Sequence, residues 1–298
     1  QCEERVVADF LAEYRAGRTP NPCVRCNERV KFDALLERAL ALGFDAVATG
    51  HYARLTGGAA SSRPGETTGL TLRRAADAAK DQSYVLAVSG RDGLSRALFP
   101  LGDAPSKADV RAEAERRGLP VASKPDSYDI CFVADGDTRG FLTRSLGVHE
   151  GTLVSPDGDV LGTHDGYFGF TVGQRKGLGL TRPAPDGRPR YVIETRPSTN
   201  EVVVGPEELL SRKSVDGNNL ILLADPLPLN DGDLGWQDVT IQVRAHGRPL
   251  PADVAVDVET GTLRAKLHHP LRGLAAGQSV VVYGGDSGDQ VLAQATVA

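Results

Sequence analysis

The stretch Asp45-Ala46-Val47-Ala48-Thr49, followed directly by Gly50-His51, decides the fold of the first part of the chain. A short apolar run that ends at a glycine is typical of a buried parallel strand delivering a loop to a ligand site. Apolar residues also recur at helical spacing before and after this run, and they predict helices over 3–16, 31–42, 82–88 and 107–117. Strands and helices mixed in this way indicate an α/β unit.

The pattern changes near residue 140. Short β-type runs then follow one another, separated by turn sequences such as Pro156-Asp157-Gly158. A third block of short strands with regular turns begins near residue 216 and suggests a small barrel or sandwich. We therefore predict three units: an α/β domain over 1–140, a small β-rich central domain over 141–215, and a C-terminal β-barrel over 216–298.

The charge of the chain limits the partners it can attract. Its 298 residues carry 34 Lys+Arg against 39 Asp+Glu, and the whole excess of negative charge lies in 216–298. A polyanionic partner must therefore dock on a local basic patch, because steering by net positive charge is excluded. No apolar run approaches the ~20 residues of a membrane span, so no membrane partner is expected. The 4 cysteines are too few for a disulfide scaffold, which favours a reducing cytoplasm.

The strongest local signal is Asn21-Pro22-Cys23-Val24-Arg25-Cys26-Asn27, where two thiols lie in a loop fixed by proline ahead of a predicted helix. Arg25 lies between the thiols, with Arg18 and Arg29 nearby. Cations and a helix N-terminus lower the pKa of a thiol, and the thiolate is the nucleophile. The pattern favours a catalytic role for these two thiols. Half of a zinc or iron–sulfur site is one alternative, and inert thiols are another.

Cys131 stands alone at the start of the apolar stretch Cys131-Phe132-Val133. A lone cysteine is commonly a buried structural residue. A thiol more than 100 residues from the Cys-x-x-Cys pair can also meet that pair in the folded chain. Such a meeting suits a sulfur relay, in which one thiol holds a persulfide and another resolves it.

Two further stretches are candidates for binding. Lys80-Asp81-Gln82-Ser83 precedes an apolar run, and taken by itself it favours a capped helix start. The stretch from Gly166 to Gly179 combines aromatic residues, five glycines and the cations Arg175 and Lys176, which we predict to contact phosphate. Such a backbone approaches a phosphate chain closely, as in proteins that read single-stranded or loop RNA. A glycine-rich hairpin with a solvated basic tip is the alternative.

Taken together, six separated motifs in one order resemble the tRNA-specific 2-thiouridylases, enzymes that thiolate the wobble uridine of certain tRNAs. Six motifs in order are far more specific than any one of them, and the likeness runs from about residue 5 to the end of the chain. The matching stretches are Ala16-Gly17-Arg18-Thr19-Pro20-Asn21-Pro22 through Cys26-Asn27 with Val30-Lys31-Phe32, Ala48-Thr49-Gly50-His51-Tyr52, Lys80-Asp81-Gln82-Ser83-Tyr84, Asp126-Ser127 to Ile130-Cys131-Phe132, Gly173-Gln174-Arg175-Lys176-Gly177-Leu178-Gly179, and Gly277-Gln278-Ser279-Val280-Val281.

The resemblance implies an activity and its partners. ATP, with Mg²⁺, adenylates the C2 oxygen of the uridine, and a cysteine persulfide then supplies sulfur. The implied partners are the tRNA anticodon stem-loop and a cysteine desulfurase or sulfur-relay protein. The first unit corresponds to an incomplete Rossmann-like PP-loop domain for adenylation and sulfur transfer, and the central unit to a tRNA-binding domain.

The resemblance also implies roles for single residues. Cys26 matches the family's nucleophile and Cys131 its persulfide carrier, and the pair can form a disulfide once the sulfur has been delivered. The positions that match binding contacts are Asn21, Pro22 and Cys23 for the target base, Gly50 for ATP, and Lys80, Asp81, Gln82, Arg244 and Ala245 for tRNA.

The chain departs from the family pattern at Cys23, where some members have Asp, so an acid–base role does not carry over. Three thiolates, those of Cys23, Cys26 and Cys131, could also hold an iron–sulfur cluster with one open iron. No other metal site is predicted.

A larger departure concerns the family's phosphate-binding loop, Ser-Gly-Gly-x-Asp-Ser, which is absent; Gly284-Gly285-Asp286-Ser287 lies in the last unit and lacks the leading Ser. The chain begins at Gln1 and contains no Met, so we expect a truncated chain that is inactive on its own. Three hypotheses remain: a sulfurtransferase lacking its N-terminal piece, a truncated tRNA-binding module without catalysis, and an RNA-binding protein stabilised by an iron–sulfur cluster or zinc.

Overall fold

The computed structural model describes residues 6–124, 130–133, 135–180, 186–229 and 232–298. The first unit mixes helices with short strands, and β1 pairs in parallel with β4, so the predicted α/β class is confirmed. Its strands are β1 (Val47–Ala48), β2 (Arg54–Thr56), β3 (Thr71–Arg73) and β4 (Ala97–Leu98). Its helices are α1 (Ala8–Arg15), α2 (Pro22–Cys26), α3 (Leu36–Ala41), α4 (Ser83–Leu86), α5 (Gly90–Leu94) and α6 (Lys107–Arg116).

The helix predicted over 31–42 begins earlier, at Pro22. Helix α2 passes into a π-helix over Asn27–Leu35, which continues as α3. Two local signals start it: the Asn21 side chain accepts a hydrogen bond from the Cys23 N–H, and proline is favoured at the first helical position because it has no N–H to satisfy. The prediction of a loop around the thiols is therefore wrong, since both thiols lie on the helix itself.

The hairpin β2–β3 joins the C-terminal sheet rather than the α/β unit. Strand β3 pairs with the last strand of the chain through Arg73 and Gln290. Arg54 and Arg73 both form ion pairs with Asp289, and Arg73 also donates to the Ser287 hydroxyl. The Gly284-to-Ser287 stretch thus lies in a turn that anchors this hairpin.

The central unit follows helix α7 (Thr138–Leu146) and confirms the predicted β-rich character. Its sheet has the order β6-β5-β8-β7, with β5 and β8 parallel. A small core of buried side chains, among them Leu153, Phe170 and Val192, lies against this sheet. The strands are β5 (Gly151–Val154), β6 (Val160–His164), β7 (Tyr191–Arg196) and β8 (Glu201–Gly205).

The last unit is the predicted β-barrel. Six strands close it in the order β11-β12-β13-β9-β15-β14, with β14 pairing back onto β11. Alternate residues of these strands, such as Ile241, Val254 and Ala265, fill the interior. The strands are β9 (Ser211–Leu222), β10 (Leu227–Pro228), β11 (Leu234–Gln242), β12 (Leu250–Asp257), β13 (Thr262–Arg272), β14 (Ser279–Gly284) and β15 (Gln290–Val297).

Two apolar clusters join the units. Phe10 and Tyr14 of α1 pack with Leu142 of α7 and with Phe168 of the central unit. On the other side, Tyr84 of α4 packs in a cluster with the barrel, and its hydroxyl donates to the Ser279 carbonyl at 2.8 Å. The helix that carries the thiols therefore lies between two β domains. Among the described residues, no helix has the length and apolar character of a membrane span.

Candidate functional site

The thiols lie at the start of the helix that begins at Pro22, which we call the thiol helix. Cys23 is exposed and Cys26 is half-buried. Asn27, only 2% exposed, fixes this end of the helix because its side-chain amide donates to the Val85 carbonyl at 3.0 Å. The π-helix begins directly after Cys26. Such helices are rare and frequently occur at functional sites.

Cations surround the thiols, as the sequence predicts, but carboxylates pair with them. Arg25 lies 2.8 Å from Glu28 and 3.4 Å from Asp9, which is on helix α1. Arg29 shares Asp9 at 3.4 Å. Arg18 in turn pairs with a carboxylate, that of Glu13. Because each of these three arginines has a carboxylate partner, their own contribution to the positive field at the thiols is reduced.

The pKa of the Cys23 thiol is raised, not lowered. Removal of water by the surrounding protein is the main cause, even though solvent reaches part of the residue, and the nearby Cys131 acts in the same direction. Lys31 is the cation that opposes this shift. The expectation of a lowered pKa is therefore wrong for Cys23, because the removal of water raises this pKa more than nearby positive charge lowers it.

Lys31 and His51 form a contact that sequence reasoning did not single out as part of the site. The Lys31 ammonium donates to His51 Nε2 at 3.0 Å, and His51 Nδ1 lies 2.7 Å from the Thr49 hydroxyl. Burial lowers the pKa of His51 to about 4, and the Lys31 charge acts in the same direction. His51 is therefore neutral at pH 7, with Nε2 as an acceptor that holds the Lys31 ammonium.

Cys131 approaches the thiol helix through packing. Phe132, the next residue, stacks edge-on against Phe10 of α1 with ring centroids 5.3 Å apart. Helix α1 is in turn tied to the thiol helix by the Asp9–Arg25 ion pair. Cys131 is exposed, so the alternative of a buried structural cysteine is wrong. The polar residues 125–129 that lead up to it lie outside the described residues.

Among the described cysteines, Cys23, Cys26 and Cys131, no disulfide is formed. As a donor set, three thiolates suit an iron–sulfur cluster with one open iron. The three residues that could hold such a group are therefore present, and Cys131 lies close enough to Cys23 to influence its titration.

Gly50 lies just beyond the carboxyl end of β1, where ligands bind in open parallel sheets. It is exposed, and it directly precedes the buried His51. The Lys31 ammonium, held by His51, therefore lies near both the thiol helix and this strand end.

Asp81 and Gln82 of the stretch Lys80-Asp81-Gln82 hold parts of the fold together through their side chains. Asp81 accepts hydrogen bonds from the Ala75 and Ser83 N–H groups and pairs with Arg74 at 2.9 Å. The Gln82 amide oxygen accepts from the Tyr52 N–H. The helix start that this stretch indicates by itself is confirmed, since α4 begins at Ser83, but the residue at the N-cap, Gln82, makes no side-chain capping hydrogen bond.

A cleft of about 540 Å³ separates the central unit from the barrel. Arg244 and Ala245 line it from the barrel, and the cations Arg175 and Lys176 lie exposed on the glycine-rich stretch next to it. Within the described chain, neither Arg175 nor Lys176 pairs with a carboxylate. The other lining residues are Thr171, Val172, Gly173, Gln174, His246, Ala275 and Gln278.

Three residues of this region escaped the sequence reasoning: Lys31, His51 and Gln278. All three stand inside stretches that match the family motifs, which was the only signal available. Their roles depend on contacts between residues 20 or more positions apart, such as Lys31 with His51.

Three family domains match the chain in order. Residues 1–135 match the domain described as "tRNA methyl transferase HUP domain", and residues 139–206 match "tRNA methyl transferase PRC-barrel domain". Residues 225–297 match "Aminomethyltransferase beta-barrel domain". This order agrees with the sequence of an α/β unit, a β-rich unit and a barrel in the structure.

Curated relatives cover almost the whole chain. The chain is 60% identical to the tRNA-specific 2-thiouridylase MnmA of Beutenbergia cavernae, over 99% of the chain and 74% of that protein. It is 58% identical to the enzyme of the same name from Salinispora tropica, over 98% of the chain and 77% of that protein. The corresponding protein of Kineococcus radiotolerans is 57% identical, over 95% and 74%. With identity this high over three quarters of each relative, the chain belongs to the tRNA-specific 2-thiouridylase family.

Proposed function

We propose that this protein thiolates the wobble uridine of tRNA at the expense of ATP. The observation that carries the proposal is the arrangement of three cysteines with no disulfide between them, two on the first turn of one helix and a third brought to it by the Phe132–Phe10 contact. Such an arrangement suits a reaction in which one sulfur is handed over and another thiol completes the transfer. The names of the relatives point to the same reaction.

The first step would be adenylation. The C2 oxygen of the uridine attacks the α-phosphorus of ATP, bound with Mg²⁺, and pyrophosphate leaves. Gly50, exposed at the carboxyl end of β1, offers a backbone that a nucleotide can approach. The Lys31 ammonium, oriented by neutral His51, is placed to offset negative charge near this end of the strand.

The second step would move the sulfur. A donor protein, a cysteine desulfurase or a sulfur-relay protein, leaves a persulfide on Cys131. The terminal sulfur of this persulfide attacks C2 of the uridine and displaces AMP. Cys131 is then joined to the base through a disulfide. The Cys26 thiolate then attacks the Cys131 sulfur, so the terminal sulfur stays on the base. A Cys26–Cys131 disulfide results, and a cellular thiol must reduce it before the next cycle.

Cys23 would act on the base without carrying sulfur. The raised pKa of its thiol keeps it protonated at neutral pH, so it can donate a weak hydrogen bond to the target nucleotide. Asn21 and Pro22 precede it and fix the end of the helix that faces the base. These three residues form the proposed base contact.

The tRNA would dock by its anticodon stem-loop along the cleft between the central unit and the barrel. Arg175, Lys176, Arg244 and Ala245 line or border this cleft, and unpaired cations there attract phosphates. Lys80, Asp81 and Gln82 complete the proposed contact. In this division residues 1–140 perform catalysis, 141–215 bind tRNA and 216–298 form the barrel.

The descriptions of two matching domains mention methyl transfer, whereas the relatives are named thiouridylases. The thiols favour the second. Methyl transfer from a carrier needs no second thiol such as Cys131 beside Cys26, whereas transfer of a persulfide sulfur needs one thiol to carry it and one to release it.

Mass spectrometry tests the proposal directly. The protein is incubated with a cysteine desulfurase and cysteine, digested without reductant, and searched for about 32 Da, the mass of one sulfur atom, on each cysteine peptide. We expect the addition on Cys131. In a protein that also carries the family's phosphate-binding loop, addition of ATP, Mg²⁺ and tRNA should then give 2-thiouridine, measured by nucleoside analysis, and a Cys26–Cys131 disulfide.

Other outcomes of the same assay would contradict the proposal. Binding of tRNA without a persulfide or thiouridine would favour a binding module that lacks catalysis. Stoichiometric zinc or iron in protein purified without oxygen, with no persulfide on Cys131, would favour metal held by the three cysteines.

A further inference from the structure

Residues 15–21 connect helix α1 to the thiol helix, and we call this segment the strap. It runs between the two β domains. On one side, the Tyr167 hydroxyl donates to the Arg15 carbonyl, and the Thr195 hydroxyl donates to the Gly17 carbonyl at 3.0 Å. The strap ends at Asn21, which caps the thiol helix. Any shift of the strap therefore moves the first turn of that helix.

The barrel holds the middle of the strap at a single residue. The Thr19 N–H donates to the Ala276 carbonyl at 2.8 Å, and the Gln278 side-chain amide donates to the Thr19 carbonyl. Both backbone polar groups of Thr19 are thus bound by the barrel. Gln278 itself is fixed, because its carbonyl accepts from the Val297 N–H at 2.7 Å.

A glycine permits this close approach. Gly277 has φ +86°, and a Cβ there would lie 3.0 Å from Arg18 Cβ and 3.3 Å from the Thr19 nitrogen. Both the left-handed backbone and the lack of space require glycine at this position. The barrel turn and the strap are therefore shaped to fit one another.

The same Gln278 side chain also lines the cleft between the central unit and the barrel, together with Gln174, Arg244 and His246. It is therefore the residue that borders both the cleft and the strap. Gln174 offers a comparison, since it lines the cleft but its side chain bonds within its own loop, where it donates to the Lys176 carbonyl and accepts from the Thr171 N–H.

We propose that Gln278 is a positioning residue, which holds the strap through Thr19 and so sets the placement of Asn21 and the two thiols of the helix. The Gln278 side-chain N–H holds the strap by donating to the Thr19 carbonyl. Gln278 therefore affects sulfur transfer only through the placement of the thiols. The inference rests on the proposed function for its kinetic readout, and it has a second readout that does not depend on tRNA or ATP.

Trypsin cleavage of the Arg18–Thr19 bond provides that second readout, because both polar groups of Thr19 must be released before a protease can bind the strap. In Gln278→Glu, a carboxylate faces the Thr19 carbonyl at pH 8, so we expect this bond to be cut at least about fivefold faster, the size of one lost neutral hydrogen bond. Gln278→Ala should give a smaller increase. Cleavage is followed by mass spectrometry of the intact chain.

Gln174→Glu is the matched control, because it adds the same charge to the same cleft without touching the strap. Both glutamate variants should weaken tRNA binding to a similar degree. Only Gln278→Glu should cleave faster at Arg18 and thiolate with a reduced kcat at saturating tRNA. Thermal unfolding monitors the fold, and Gln278→Ala serves if the charged variant unfolds.

The outcomes separate the two ideas. If Gln278→Glu and Gln278→Ala both cleave at the wild-type rate, or thiolate with the wild-type kcat, Gln278 does not position the strap. If the wild-type protein forms neither persulfide nor thiouridine while Gln278→Glu still cleaves faster, the positioning stands and the proposed function fails.

Discussion

The thiol helix and the interdomain cleft differ in whether their cationic side chains are paired with carboxylates. Around the thiols, Arg18, Arg25 and Arg29 each have a carboxylate within 4 Å. On the glycine-rich stretch beside the cleft, Arg175 and Lys176 are exposed and, among the described residues, have no carboxylate partner. Free cations attract a polyanion, whereas paired ones mainly fix structure. The molecule thus separates the surface suited to nucleic acid from the surface suited to sulfur chemistry.

The largest effect that tests this separation is expected from Cys131→Ser. A serine oxygen cannot carry a persulfide, so thiouridine formation should fall below detection while tRNA binding stays within about twofold, since the substitution removes no cation. Nucleoside analysis and filter binding measure the two quantities. Cys23→Ser is the control, because the addition of one sulfur should still be found on Cys131. Normal thiolation by Cys131→Ser would show that the sulfur travels by another route.

A second prediction compares the two histidines of these regions, buried His51 beside Lys31 and exposed His246 in the cleft. Burial lowers the pKa of His51 to about 4 from 6.5, so the unfolded chain binds the proton more strongly. The stability that this shift contributes is full above pH 6.5 and is lost as the pH falls towards 4. Between pH 7 and pH 5 the loss amounts to about 2 kcal/mol.

Urea unfolding of the wild type, His51→Gln and His246→Gln at pH 7 and pH 5 measures this contribution. His51→Gln should be less stable at pH 7 but should lose about 2 kcal/mol less on acidification. His246→Gln is the matched control, because it removes an exposed imidazole ring and leaves His51 in place. Parallel acid sensitivity in all three proteins would mean that His51 titrates normally.

The sequence allowed the order of the units to be predicted, because periodicity and turns are local signals. The strand ending at Gly50 and the barrel were recognisable for that reason. The pairing of hairpin β2–β3 with the barrel was not, since Arg54 and Arg73 meet Asp289 more than 200 residues away. The start of the thiol helix at Pro22 was not predicted, although the sequence contains both of its local signals, the N-cap residue Asn21 and proline at the first helical position.

The candidate site divides in the same way. Residue types and motif order pointed to Cys26, Cys131 and the basic stretch, because these are chemical properties of the side chains. The state of the Cys23 thiol could not be predicted, because it depends mainly on the removal of water around it and on the approach of Cys131, and both follow from packing. The neutral His51 that holds Lys31 likewise follows from burial, which only the packed structure defines.

A third prediction concerns the cleft. Replacing Arg175 and Lys176 together by Ala should weaken tRNA binding about tenfold and reduce the slope of log K against log salt by roughly 1.5, the amount for two phosphate contacts. The control is Arg116→Ala with Arg117→Ala, exposed arginines that both pair with Glu113 on α6. Filter binding over a range of salt concentrations gives the slope. An unchanged slope in the first variant would place the RNA elsewhere.

The smallest effect is expected for Lys31, a cation whose charge acts on the Cys23 thiol. Lys31 lowers the pKa of that thiol against the opposing effect of burial, so Lys31→Met should raise it and leave less thiolate at a given pH. Iodoacetamide should then modify Cys23 about threefold more slowly at pH 8, the size of a partly exposed charge interaction. Arg29→Met removes a cation of the same helix whose charge Asp9 already neutralises. It should leave the alkylation rate of Cys23 unchanged. Peptide mass spectrometry over pH 6–10 follows the alkylation of Cys23. If the rate falls equally in both variants, the paired Arg29 still acts on the thiol. The contrast between paired and free cations would then not hold.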